Sequence, residues 1–435
     1  MNHFKSLLHR LMGIDIIKVF SLNALSTFVR MLAGMVSVKV VAVIIGPAGI
    51  ALLGQLNNFS TILLGMANGG INSGITKYVA EYKEDINQIK SYISNALRIT
   101  LICSLVVSLV IIVFCRQLSQ LILLSDEYYY VFIVFGITII LFTLNGLVTS
   151  ILNGYKEFKL YVRVSIFGTI VGLIYSIILV YFWGLPGAMI NAVTFQSIML
   201  FVTLWMSRKL PWMKREYFIQ KINKPIVKKY LGYSLMTLTT LVLLPTCQMF
   251  LRGHVISELS PTDAGIWEGM NRISNMYLNV ITSAFSIYYL PRLSEITNPT
   301  ELRQEIIRCY KVVIPMLLGI SIIIFFLKRF ILWILFTPEF YPMESLFGWQ
   351  LAGDIFKMCS WLLSFLMVAK AMTSMFIITE VVFNLSYLAL AFLFMRINGI
   401  VGLTQGYLIN YVIYTIVVIF MFRNIVIAKT IKRRL

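Results

Sequence analysis

Charge is in short supply in this sequence and lopsided in sign. Only 13% of its 435 residues are Asp, Glu, Lys or Arg, and 37 basic residues outnumber 18 acidic ones. Soluble domains carry roughly 25% charged residues, so this chain lacks the side chains to cover a water-facing surface. Histidine is scarcer still. His3, His9 and His254 form no HExxH or other ligand-spaced group, which excludes the zinc-hydrolase signatures and leaves no metal or cofactor expected. No GxxxxGK[ST] run occurs, so nucleotide hydrolysis at a phosphate loop is excluded. Cys103, Cys115, Cys247, Cys309 and Cys359 make no CxxC pair and lie in or beside apolar runs, where they read as packing residues. Lys5, Arg10 and Lys18 precede no uninterrupted apolar run with a small-residue cleavage site, so no cleaved signal peptide is expected.

What fills the chain instead is apolar. With 59% hydrophobic residues and a mean hydropathy of +0.85, it reads as an integral membrane protein. Its formal charge of +19 comes from Lys and Arg clustered between apolar runs, with no soluble basic domain. That pattern sets membrane topology and argues against nucleic acid as a partner. Twelve candidate spans lie near 19–45, 50–77, 91–115, 129–152, 162–183, 186–206, 231–252, 265–290, 309–328, 345–369, 374–395 and 400–422. The turns Gly46-Pro47-Ala48-Gly49, Gly184-Leu185-Pro186-Gly187 and Asn398-Gly399 separate spans that would otherwise run together.

The basic residues divide 26 against 5 between the two sets of connecting segments, with Arg116, Arg252, Lys328, Arg329 and Arg396 on the poorer side. The richer side is cytoplasmic by the positive-inside rule. Eight of the 26 fall between Arg208 and Lys229, in the longest connection. The organisation expected is a six-helix bundle over 1–206, a basic cytoplasmic linker over 207–230 that could also lie on anionic headgroups, and a second bundle over 231–435. Pro47-Ala48-Gly49-Ile50 and Asp263-Ala264-Gly265-Ile266 open the second and eighth spans about half a chain length apart. With equal numbers of spans per half, this points to a duplicated six-helix unit with a site between the copies.

The eighth span carries its own polar stripe. Glu268, Arg272, Asn275, Asn279, Thr282 and Ser286 fall near one line at ~100° per residue. A charged side chain at bilayer centre costs about 2.5–3.5 kcal/mol on insertion scales, so such a face belongs against a polar interior. The alternative is a packing seam in which Glu268 and Arg272, an i,i+4 pair, neutralise each other. In the second span, Asn58, Thr61, Gly65, Gly69, Asn72 and Thr76 also share a face, and the Gly65/Gly69 spacing is a common packing device. Elsewhere Arg30 lies mid-span in line with Asn23 and Ser37. Asp354 and Lys357 lie mid-span with Gln350 and Trp361, either as an i,i+3 structural pair or as part of the site. Glu380 follows with Asn384 and Tyr387 on its face, and Lys39 and Arg98 sit nearer helix ends, where long basic side chains snorkel. The intramembrane charges are positive in balance. That favours an anionic ligand, because guanidinium forks suit phosphate oxygens in a low dielectric.

The run GPAGIALLGQL with STILLGMANGGINSGITKYVAEYK, from Gly46 to Lys83, resembles the second-helix region of Wzx-type flippases. These belong to the multidrug/oligosaccharidyl-lipid/polysaccharide exporter superfamily and include translocases of O-antigen units and of the enterobacterial common-antigen lipid intermediate. The resemblance implies an all-α polytopic membrane protein, with twelve transmembrane helices in two similar six-helix bundles around a central cationic cavity. It implies a substrate of undecaprenyl diphosphate carrying a short glycan, moved from the cytoplasmic to the periplasmic leaflet of the inner membrane for O-antigen or related lipopolysaccharide biosynthesis. Inner-membrane lipids, and the polysaccharide polymerase and chain-length regulator as candidate protein partners, follow from the same resemblance.

On this reading Arg30, Arg272 and Lys357 are the expected diphosphate ligands, and Asn58, Asn72, Asn275 and Asn279 offer hydrogen bonds to sugars. Glu268, Asp354 and Glu380 are candidates for proton or ion coupling. Two alternatives stay open. An ion-coupled multidrug exporter of the same fold would favour surplus carboxylates in its cavity. A membrane glycan polymerase or ligase would need an acid/base constellation and a sizeable outer loop, whereas Gly253 to Ala264 and Phe330 to Glu344 are short. No enzymatic activity is expected.

Both termini and Lys214 are therefore expected on the cytoplasmic side, with Glu258 and Glu339 outside. Single-cysteine variants in a background lacking the native cysteines test this in intact cells. An impermeant maleimide should label positions 258 and 339 and spare 214, and labelling at 214 would overturn the topology.

Overall fold

Hydrocarbon offers a backbone no hydrogen bonds, so a segment crossing it must satisfy its own amides. The computed structural model describes residues 14–82, 84–296, 298–370 and 372–426, and within them the chain is helical with no strand. The terminal basic residues Lys5, Arg10, Lys429, Lys432, Arg433 and Arg434 lie outside the described residues, as does Lys83. In order come α1 (Ile14–Ala67), α2 (Asn72–Tyr82), α3 (Ile86–Val113), α4 (Cys115–Leu123), α5 (Tyr129–Gly154) and α6 (Phe158–Ser207). Two single 3-10 turns, Pro211–Met213 and Arg215–Tyr217, lead to α7 (Lys224–Glu258) and α8 (Pro261–Glu295). Then follow α9 (Pro299–Phe326), α10 (Lys328–Leu335), a 3-10 segment (Pro338–Leu346), α11 (Phe347–Ala369), α12 (Thr373–Met421) and α13 (Arg423–Val426).

Three helices are too long for one crossing. The 54 residues of α1 would rise ~80 Å at 1.5 Å each, against a hydrocarbon core of about 30 Å. Each breaks at a glycine in the left-handed region: Gly46 (φ 64°), Gly184 (φ 58°) and Gly399 (φ 56°). These are the turns marked in the sequence. Beyond its break α6 doubles back, and the Tyr175 hydroxyl meets Thr194 Oγ1 at 2.9 Å. The two arms of α12 likewise bring the Tyr387 and Tyr407 rings to 5.7 Å. Among the described residues, seven helices are long and apolar enough to cross a membrane. Splitting three of them at their breaks gives ten spans, and α7 with the polar-striped α8 brings the total to twelve among the described residues. The protein is a multi-pass, all-α membrane protein.

The described chain forms two compact units, residues 14–45 with 52–246 and residues 46–51 with 247–426. In the first, α2, α3, α5, the connection after α6 and the start of α7 share a core of Ile75, Tyr92, Ile151, Trp212 and Tyr230. The basic connection is therefore docked rather than loose. Trp212 stacks on Tyr155 at 5.8 Å, Lys90 pairs with Glu216 at 2.6 Å, and the Ser94 hydroxyl donates to the Phe218 carbonyl at 3.0 Å. The Asn223 amide donates to Asn95 Oδ1 at 3.1 Å, and Arg98 donates to the Gln220 carbonyl. Arg98 thus ties down a strap, a more specific role than snorkelling. The Lys90 ammonium holds the Glu216 carboxyl below its usual range.

The second unit has one core around Tyr289, Leu293, Leu317, Leu362 and Val418 and another around Leu251, Trp267, Ala391 and Tyr407. Helix α8 starts where the Ser260 hydroxyl accepts the Asp263 amide at 3.0 Å with Pro261 at its first turn, a standard N-terminal signature. Here the two related tetrads meet, because a Cβ on Gly265 would lie 1.8 Å from the Pro47 carbonyl oxygen. Only glycine fits between those backbones.

Gly265→Ala is expected to destabilise the purified protein by about 1–3 kcal/mol through forced backbone displacement, read as a lowered thermal midpoint in detergent. Gly319→Ala, at a helical position whose Cβ meets nothing within 4 Å, should leave the midpoint in place. An unchanged midpoint for Gly265→Ala would show that the contact is dispensable.

Candidate functional site

The stripe of α8 is half-buried at Glu268 and Arg272 and opens farther along. Ile273, Leu278 and Ile281 are buried, whereas Asn275 and Asn279 are exposed. Thr282 is half-buried, its hydroxyl donating to the Asn279 carbonyl at 3.4 Å. The side chain of Ser286, and those of Asn23 and Lys18 on α1, lie outside the described side chains. Lipid does not stabilise such a face, so it suits water or a polar ligand.

At the head of the stripe, Glu268 holds two cations. Arg272 Nε lies 3.4 Å from Glu268 Oε1, and Arg252 Nη2 of α7 lies 2.5 Å from Glu268 Oε2. Arg252 is only 2% exposed and its guanidinium sits 5.7 Å from the Trp267 ring centre. The division of basic residues sets Arg252 among the outward connecting segments. Instead it is a buried helical residue, because α7 runs on to Glu258 and folds it against α8. Two guanidiniums on one carboxylate leave this end of the stripe positive.

Asp354 and Lys357 form no direct ion pair among the described residues. Asp354, fully buried, accepts from the Ser274 hydroxyl at 2.7 Å, the Tyr407 hydroxyl at 2.8 Å, the Tyr277 hydroxyl and Gln350 Nε2 at 3.4 Å. All four partners can donate to an ionised carboxylate. The Lys357 ammonium instead lies 5.7 Å from the ring centres of both Tyr407 and Tyr411, within electrostatic reach of Asp354 and Glu380. Tyr407 serves both charges, its hydroxyl bound to the carboxylate and its face toward the cation. Glu380 Oε2 receives Asn384 Nδ2 at 3.4 Å.

In the first unit, Arg30 is exposed and donates to Thr27 Oγ1 at 3.3 Å, while Lys39 is half-buried. The stripe of the second span is interrupted. Gly69 (φ 62°) and Gly70 (φ 65°) stop α1 at Ala67 and restart the chain as α2 at Asn72, so Asn72 and Thr76 belong to a different helix from Asn58. Gly69 is a backbone break, a role the packing spacing with Gly65 did not reveal. Asn58 Nδ2 and Asn72 Oδ1 are buried without a hydrogen-bond partner among the described residues, as is Asn68 Oδ1. No three His, Cys, Asp or Glu side chains among the described residues gather as metal ligands.

Arg252, Tyr277 and Tyr407 escaped the sequence reading, although signals existed. Arg252 and Glu268 lie at comparable distances either side of the α7–α8 turn, so a helical hairpin brings them together. Tyr407, Tyr411 and Tyr414 recur at i, i+4 and i+7, a single helix face.

Comparison with known proteins adds the lineage. The chain is 26% identical over 392 residues to the lipid III flippase of Escherichia coli (strain K12), covering 90% of this chain and 94% of that protein, with the same figures for the Shigella flexneri protein. Among solved structures, an inward-facing multidrug resistance MATE family transporter of the MOP superfamily aligns with a TM-score of 0.73 at 14% identity, over 91% of this chain and 97% of that one. A MOP superfamily transporter from Pyrococcus furiosus, described by the reverse polarity of its binding pocket, aligns with a TM-score of 0.67 at 12% identity, over 94% and 96%. These likenesses show the fold. The sequence pattern of a family described as polysaccharide biosynthesis protein matches residues 16–297, more than half of the chain, and the chain accordingly belongs to that family.

Proposed function

We propose that the protein is a Wzx-type flippase that carries undecaprenyl-diphosphate-linked oligosaccharide units from the cytoplasmic to the periplasmic leaflet of the bacterial inner membrane, for surface polysaccharide assembly. The observation that carries this reading is the positive excess at Glu268. Arg252 is committed to that carboxylate at 2.5 Å, and Arg272 is bound only through Nε, at 3.4 Å, among the described residues. A guanidinium so placed has further N–H groups for phosphate oxygens. Arg30 and Lys357 are further diphosphate ligands on this reading. The exposed Asn275 and Asn279 follow Arg272 along the stripe as hydrogen-bonding groups for sugars.

The prenyl chain needs no polar route. Each buried CH2 favours the bilayer by about 0.8 kcal/mol, so it remains in lipid while the headgroup passes. The protein makes and breaks no glycosidic bond. Both termini are cytoplasmic, and the polymerase and chain-length regulator receive the product. Glu268, Asp354 and Glu380 are the groups available for ion coupling. Asp354 is the best placed, since protonation would turn an acceptor of four hydrogen bonds into a donor facing three hydroxyls.

Depletion of the protein should leave complete lipid-linked units in the inner leaflet, sealed from external reagents and unchanged in sugar composition. External glycan labelling of spheroplasts, beside extraction of total lipid-linked units, measures this. Monomeric units accessible from outside, in cells also deleted for related translocases, would show that flipping continues and that a later step has failed.

The two arginines on Glu268 should separate by variant. Arg252→Ala leaves a buried carboxylate short of its main partner and should cost about 3–5 kcal/mol of stability, seen as a lower melting midpoint and protein level. Arg272→Ala should keep both and abolish surface glycan, with Arg272→Lys rescuing in part because the fork is lost. Normal glycan display with Arg272→Ala would remove that residue from the site.

A further inference from the structure

The break between α1 and α2 opens a cleft in the first unit. Its volume is 230 Å³, and Thr61, Leu64, Asn68, Asn72, Thr237 and Leu241 line it together with Gly65 and Gly70. No charged side chain is among them. Asn68 is 8% exposed, and its Oδ1, like Asn72 Oδ1, is buried with no hydrogen-bond partner among the described residues. Leaving such a group unpaired costs about 1–3 kcal/mol, and both belong to residues that line this cleft. On a third side the two carboxamides meet Gly146, where a Cβ would lie 3.5 Å from Asn72 Nδ2 and 3.6 Å from Asn68 Oδ1. The Thr61 hydroxyl donates to the Asn57 carbonyl at 2.8 Å, which leaves its oxygen able to accept.

We infer that this cleft is a subsite for one neutral sugar ring, with hydroxyl groups of the sugar donating to Asn68 Oδ1 and Asn72 Oδ1. The inference rests on the flippase reading and extends it, since it separates recognition of the glycan from recognition of the diphosphate. The unpaired oxygens suit a hydrogen-bond donor, and no cation in the lining would hold a phosphate. A bare cation, bound at about 2.3–2.6 Å by oxygens, would leave most of the volume empty. A pyranose ring suits the whole lining, with hydroxyls at the rim for the amides and threonines and C–H faces for Leu64 and Leu241. The glycine break explains itself in the same terms. Irregular backbone within a membrane segment occurs where it lines a cavity, and at Gly70 a Cβ would crowd the Ser234 carbonyl at 3.0 Å.

The test uses the full-length protein in detergent and three probes: farnesyl diphosphate, and farnesyl diphosphate bearing one glucose or one N-acetylglucosamine. The wild-type protein should bind at least one sugar-bearing lipid about tenfold more tightly than the bare one. Asn68→Leu and Asn72→Leu should erase that preference and leave affinity for farnesyl diphosphate unchanged. Thr61→Val, at an exposed rim position, should reduce the preference several-fold at an unaltered melting midpoint, so the inference stays testable where a buried substitution misfolds. Equal wild-type binding of all three lipids would overturn the sugar subsite alone, whereas binding of none would overturn the flippase reading with it. Losses in the asparagine variants that affect all three lipids alike and are reversed by raised sodium would identify a cation site and overturn the inference.

Discussion

A guanidinium taken out of water needs a carboxylate, and the second unit has placed Glu268 where two arginines can share one. Desolvating either cation alone would cost several kcal/mol. Arg252 reaches that carboxylate across the α7–α8 turn with its ring neighbour Trp267 against it. Arg272 is held along α8 by the weaker contact one helical turn away. The pair differs in consequence. One arginine fixes two helices to each other, and the other is kept charged, oriented and incompletely engaged, which is what an anion site requires.

Polar groups elsewhere divide the same way, by whether the chain satisfies them itself. Asp354 is saturated by Ser274, Tyr277, Gln350 and Tyr407, with the Lys357 ammonium beside it against two aromatic faces. Such a network rigidifies the packing of α8, α11 and α12 and resists partial change, because losing one donor strands a buried charge. Asn68 and Asn72 in the first unit, with amide oxygens left over, are the opposite case.

How far the sequence reveals this depends on the range of the interaction. Spans, their three glycine breaks and the α8 stripe are local properties of composition and helical period, and they are legible as such. The stripe was readable because its spacing alone puts Glu268, Arg272, Asn275 and Asn279 on one side of a helix. Arg252 was not, since hydropathy locates the end of α7 only to within a turn or so, and the residue passes from loop to buried helix inside that margin. The partners of Asp354 come from three helices, so only tertiary packing could replace the expected Lys357 pair with Tyr277 and Tyr407. At Gly65 and Gly69 the spacing holds for packing, since a Cβ would meet Leu241 and Ile99 at 3.0 Å, but it says nothing of the backbone break. One glycine four residues after another signals close helix packing, but two consecutive glycines at positive φ end the helix.

The fold itself does not choose between a drug exporter and a lipid-linked glycan flippase, since one architecture hosts unrelated cargoes. The choice lies in the sign and state of the intramembrane groups. A cationic drug would be held by a free carboxylate, yet Glu268 is taken by two arginines and Asp354 by four donors, which leaves Glu380, with Asn384 at 3.4 Å and the Lys357 ammonium within electrostatic reach. What the helices offer instead is a guanidinium with donors in hand and amides without partners. Those are complements to phosphate oxygens and to sugar hydroxyls, the two polar parts of a lipid-linked glycan.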